Sequence, residues 1–134
     1  MLRYLLDTNI CIYIAKQQPK SVLEKLNHLN VGEVGMSVVT YGELFYGACK
    51  SSYSQKSLNI LSDLVNYIPV LPIPINAGEY YGKARKALEA QGRPIGNNDL
   101  WIAAHAESLD ITLVSNNVKE FSRISSLKLE NWVD

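Results

Sequence analysis

Short apolar runs that stop abruptly at polar or proline-rich residues, each joined to a stretch with helical periodicity, constrain this chain more than any other feature. RYLLDTN reads as an apolar strand running to Leu6 and ending in a polar turn, and Ile10 to Lys16 then has helical character. Pro19 opens a unit in which Val22, Leu23, Leu26 and Leu29 recur at three- and four-residue spacing, which predicts an amphipathic helix. Gly32 and Gly35 bracket a turn before a brief strand around Met36, and Ser37 and Thr40 offer side-chain oxygens to cap a helix that carries Glu43 near its start. A further helix is predicted from Ser54 to Asn66, followed by a short strand in YIPVLPI that Pro69, Pro72 and Pro74 limit. Asn76 with Glu79 resembles a capping box for a helix reaching Gln91. GRPIGNND reads as a tight loop in which Asn97 or Asn98 caps a helix beginning near Asp99. ITLVSNN is another apolar strand with a polar end, and Leu127 to Val133 suits a last edge strand.

Apolar strands alternating with helices predict an α/β fold with a parallel sheet covered on both faces, and ligand sites in such folds lie beyond the carboxyl ends of the strands. Three acids occupy strand ends or helix starts, namely Asp7, Glu43 and Asp99, and Glu120 follows the strand-ending SNN. On residue type alone Asp7 and Asp99 fit a helix N-cap as well as a ligand, Glu43 fits a solvated first-turn acid, and Glu120 fits a plain surface glutamate. If the sheet is parallel, all four converge on one edge. Clustered carboxylates raise one another's pKa and call for a neutralising cation, and a donor set of oxygens without His or Cys points to magnesium or manganese. Phosphodiester hydrolysis suits such an arrangement, because a metal ion activates water and neutralises phosphoryl charge.

Four blocks, LLDTNICIYIAK, MSVVTYGELFYGA, GRPIGNNDLWIAAHA and LVSNNVKEF, resemble in order the signature blocks of the PIN-domain family, and more narrowly those of VapC toxins. The resemblance runs through nearly the whole chain. It implies a three-layer α/β/α sandwich with a central parallel sheet of four to five strands. It also implies a homodimer and a Mg2+-dependent endoribonuclease, with Mn2+ as a substitute, that a cognate VapB-type antitoxin blocks by entering the active site. Carried over by position, Asp7 and Asp99 match the metal-binding aspartates and Glu43 the acid on the third helix, while Thr8 and Asn9 match a supporting pair expected to cap the helix and orient Asp7. The last block departs from the broader pattern, in which an Asp stands where this chain has Ser115, Asn116 and Asn117. The site then leans on Glu120, supported by Ser115 and Asn117, or holds only one ion tightly. Either Glu43 or Glu120 is expected to position or deprotonate the attacking water.

A chain of 134 residues fits a single domain spanning 1–134. Its formal net charge of zero removes any whole-molecule attraction to phosphate, so RNA contact must come from a local patch. Lys83, Arg85, Lys86 and Arg93 cluster before the Asp99 loop, with Arg93 the best placed to grip a phosphate. The competing reading is the polar face of an amphipathic helix. Tyr41, Phe45, Tyr46, Tyr80, Tyr81 and Trp101 could stack bases or form a dimer face, but aromatics at helical spacing more often build core. His28 and His105 lie in helical segments among packing or solvated neighbours and are not expected to be catalytic. Cys11 and Cys49 have no metal spacing and read as two small buried hydrophobes. No stretch approaches the roughly 20 apolar residues of a membrane span, and the start lacks the features of a signal peptide, so a cytoplasmic protein is expected. Competing functions are a housekeeping RNA-processing PIN nuclease and a non-catalytic module that uses an acidic pocket only to hold a partner. A magnesium phosphatase is disfavoured because no DxD follows the first strand.

Overall fold

The computed structural model describes residues 1–133. Five strands, β1 (Tyr4–Leu6), β2 (Val34–Ser37), β3 (Val70–Leu71), β4 (Thr112–Val114) and β5 (Leu129–Glu130), pair in parallel throughout, in the order β3-β2-β1-β4-β5. Leu5 and Leu6 explain why the strand runs are apolar rather than alternating. Both are fully buried, one in each of the two cores that the sheet separates. Replacing either with Ala should cost about 2–5 kcal/mol.

Seven helices cover the sheet: α1 (Thr8–Lys16), α2 (Lys20–Asn27), α3 (Val38–Lys50), α4 (Ser54–Tyr67), α5 (Ala77–Ala90), α6 (Asn97–Ser108) and α7 (Val118–Phe121). Ile10 and Ile14 of α1, Val22 of α2 and Leu61 and Leu64 of α4 pack on Leu6, Val34, Met36 and Val114. Leu88 of α5, Leu100, Ile102 and Ala106 of α6 and Phe121 of α7 pack on Leu5 and Leu113. Gly35 lets β3 close on β2, since a Cβ there would lie 2.8 Å from Leu71 Cδ1 and 3.3 Å from the Pro69 carbonyl. Among the described residues no helix is long and apolar enough to cross a membrane.

Several local expectations are corrected. The first helix starts at Thr8, because Asp7 itself is the cap and its Oδ1 accepts from the Ile10 N–H at 3.0 Å. At α3 the cap is Ser37, whose Oγ accepts from the Val39 N–H, while Thr40 is buried inside the helix and Glu43 stands in its second turn. No capping box forms at Asn76, which has helical dihedrals and no side-chain bond. Carbonyls of Pro74, Ile75 and Asn76 serve the first amides of α5 instead. Gly96, not Asn97 or Asn98, holds the N-cap position of α6, and both asparagines lie in its first turn. The tail pairs only over Leu129–Glu130, as the edge strand β5. Cys49 is exposed although Cys11 is buried, because Ala48 takes the inward position of that turn.

Candidate active site

The chain leaves β1 for strands on one side of it, then returns to β4 on the other side, so the strand order switches between β1 and β4. That is where a doubly covered parallel sheet leaves a crevice at its carboxyl edge. Asp7 follows β1 and Ser115 follows β4 at this point, tied together by a bond from the Asp7 N–H to the Val114 carbonyl at 3.0 Å. Asp7 and Ser115 are both buried. Burial pushes the Asp7 carboxyl up, and Glu43 adds to the rise. The Ser115 hydroxyl and the Ile10 and Asn9 amides work in the opposite direction by donating to the carboxylate.

The other three acids gather around the same crevice from separate elements. Asp99, in the first turn of α6, is pushed up to about 6, first by burial and then by the charges of Glu120, Glu43 and Asp7, with a direct carboxyl contact to Glu120. Four carboxylates separated by up to 113 positions in the chain thus lie near enough to act on one another. Glu43 and Glu120 each have their own polar support. Thr8 Oγ1 donates to Glu43 Oε1 at 2.5 Å and lies 3.4 Å from the buried Thr40 Oγ1. Asn117 Nδ2 donates to Glu120 Oε2 at 3.2 Å, and its backbone amide donates to Ser115 Oγ at 2.9 Å.

This arrangement reassigns the expected supporting pair. Thr8 holds Glu43 rather than Asp7, and Asn9 contributes to Asp7 through its backbone amide while its own residue is exposed. Two supports went unnoticed in the sequence. Asn98 Nδ2 reaches Glu43 Oε2 at 3.4 Å, and Asn116 Nδ2 donates to the Tyr13 hydroxyl at 2.9 Å, fastening the loop after β4 to α1. Amides near Asp7, Asp99 and Glu120 in the sequence are the available signal, but spacing does not reveal which acid an amide serves. Arg93 is exposed and makes no side-chain hydrogen bond among the described residues. His105 is fully buried in α6 with both ring nitrogens unpartnered, and burial lowers its pKa, so it is a packing residue. His28 sits on the surface, its Nδ1 on the Glu24 carbonyl.

Similarity to known proteins extends over nearly the whole chain. A family model described as PIN domain matches residues 4–127. Ribonuclease VapC2 of Haemophilus influenzae is 41% identical, covering 99% of this chain and 100% of that protein. The chain belongs to the VapC family of PIN-domain ribonucleases. The tRNA(fMet)-specific endonuclease VapC of Shigella flexneri is 43% identical over 98% of this chain and 99% of its own length. The solved VapBC-1 structure from nontypeable Haemophilus influenzae superposes with a TM-score of 0.90 at 42% identity, covering 99% of this chain and 100% of that one.

PIN-domain nucleases generally use a divalent metal. Among the described residues no three His, Cys, Asp or Glu side chains form a ready cage. The donors still fit a hard cation that retains several waters, because they are all carboxylate oxygens and their mutual repulsion contributes to the rise at Asp99.

Proposed function

We propose that this chain is the toxin of a type II toxin–antitoxin pair, a Mg2+-dependent endoribonuclease that cleaves a structured tRNA and is silenced by a VapB-type antitoxin. The observation that carries the reading is the gathering of Asp7, Glu43, Asp99 and Glu120 from four separate elements at the carboxyl edge of a parallel sheet, where burial and the other three carboxylates push the Asp99 carboxyl up. The name of the Shigella relative supports initiator tRNA as the substrate class. On this reading the four acids divide the labour. Asp7 and Asp99 would hold the cation, which when bound supplies neutralisation of phosphoryl charge and acidification of water. Glu43, oriented by Thr8 and Asn98, and Glu120, oriented by Asn117, align the attacking water and take up its proton. Ser115 opposes the effect of burial on Asp7 and fixes its carboxyl by donating to it.

A groove of about 500 Å3 between α1, α3 and α4 begins at Thr8 and Glu43 and is walled by Ile12, Leu44, Leu61 and Leu64. Such a groove suits an apolar antitoxin segment that ends in a basic side chain over the carboxylates. Solved VapBC complexes among the relatives support that assembly.

The test is to incubate antitoxin-free protein with total bacterial RNA in magnesium, in manganese and in chelator, beside Asp99→Asn, and to map new 5′ and 3′ ends. Discrete metal-dependent cuts in one tRNA, absent from the variant, are expected. Folded protein that makes no cuts with either metal would instead mark a binding module.

A further inference from the structure

Four converging carboxylates repel a polyanion, and the chain has no net charge to offset them. An RNA strand reaching that crevice must therefore be held by cations outside it. The structure sorts the candidates. Arg85 is engaged, its Nε on Glu89 at 3.1 Å and its Nη1 on the Tyr81 hydroxyl at 2.9 Å, beside the Tyr81–Trp101 ring stack. Lys83 has no ion-pair partner among the described residues and lines a groove of about 330 Å3 between α5 and the segment after α7.

Arg123, which the sequence did not single out, comes from the opposite wall of that groove. Its Nη1 donates to the Pro94 carbonyl at 2.9 Å, and its backbone amide bonds to the Glu120 carbonyl at 3.1 Å. Arg123 thereby joins the loop leading to Asp99 to the turn carrying Glu120, and it stands beside the loop of the exposed Arg93. Glu107 is the single acid on the groove wall among the described residues, and its Oε2 already accepts from Ser126 Oγ at 2.7 Å. Tyr80, 39% exposed, lines the same groove and offers an aromatic face. Cations that no acid neutralises, interleaved with an aromatic, form the pattern that tracks single-stranded nucleic acid.

We propose that this groove carries the RNA backbone away from the acidic crevice, with Lys83, Arg123 and Arg93 holding phosphates and Tyr80 stacking a base. The inference rests on the ribonuclease reading and adds the path of its substrate. Binding is read without turnover, by fluorescence anisotropy of a labelled initiator tRNA on the Asp99→Asn protein across a salt series. Adding Lys83→Gln should lower the slope of log K against log salt by about 0.7–0.9, the value of one phosphate contact. Tyr80→Ala should weaken binding with no change in slope, and Lys20→Gln on α2 should match the parent. Because Arg123→Gln also removes the Pro94 bond, Lys83 and Tyr80 decide the matter. Parental binding by both variants, or a loss confined to antitoxin assembly, would overturn the groove. Absence of cleavage by the unsubstituted chain would instead sink the ribonuclease reading, while the Lys83→Gln and Tyr80→Ala binding series decides the groove separately.

Discussion

Thr8 shows how one side chain can tune a site without touching substrate. Its hydroxyl donates to Glu43 across 35 positions of sequence, and the same contact leaves the second carboxylate oxygen facing Asn98. A Thr8→Val substitution keeps the shape and removes the donor. We expect a loss of about 10–100-fold in cleavage rate, the range seen when an outer partner of a metal ligand set is deleted. The measurement is single-turnover cleavage, with circular dichroism to verify that the variant is folded. Thr8→Ser should retain the rate, since it keeps the hydroxyl. An unchanged rate in Thr8→Val would mean that Glu43 needs no orientation.

The loops that present the site are set by how the helices end. Gly92 follows α5 with φ +66, the Arg93 amide bonds to the Leu88 carbonyl at 2.9 Å and the Gly92 amide to the Glu89 carbonyl at 3.1 Å. This pair of bonds is a Schellman termination, and it aims the chain into the loop before Asp99. The same motif ends α6, with amides of Ile111 and Asp110 on the Ala106 and Glu107 carbonyls, but there Asp110 occupies the left-handed position at φ 55. Opposite effects are predicted for two exchanges. Gly92→Ala should destabilise by about 1 kcal/mol, and Asp110→Gly should stabilise by up to about 1 kcal/mol, because the Lys128 ion pair it removes is exposed and contributes little. Urea denaturation midpoints of the two variants would show both signs, and a Gly92→Ala protein as stable as the parent would exclude the left-handed requirement.

At the scale of the whole molecule, the carboxylate cluster links function to stability. A folded-state pKa of about 6 for Asp99 lies above its usual 3.8. The associated stabilisation is therefore complete below pH 3.8 and is lost as pH rises through 6. Above that pH the parent carries a buried charge, and repulsion from its neighbours, that Asp99→Asn lacks. Without divalent cation the variant should be more stable at about pH 7.5, by an amount of order 1 kcal/mol after solvent screening. Magnesium or manganese should raise the melting temperature of the parent by mass action, with little effect on the variant. Differential scanning fluorimetry checks both, and equal stability of parent and variant between acid and neutral pH would contradict the raised pKa of Asp99.

Much of this organisation is legible in the chain itself. Leu5 with Leu6, and Leu113 with Val114, are apolar pairs on adjacent positions, which only a sheet buried on both faces accommodates. Parallel pairing then places whatever follows each strand at one edge, so the positions of Asp7 and Ser115 follow from order along the chain. Tertiary structure alone decided that Thr8 serves Glu43 rather than Asp7, that Arg85 turns to Glu89 and Tyr81 while Lys83 lines a groove, and that Arg123 meets Pro94. The physical reason is the range of the signal. Hydrophobic periodicity encodes which face of an element is buried, a property of neighbours three or four residues apart. The choice of hydrogen-bond partner depends on how elements dozens of residues apart are packed, and on which donors and acceptors that packing leaves within about 3 Å of each other.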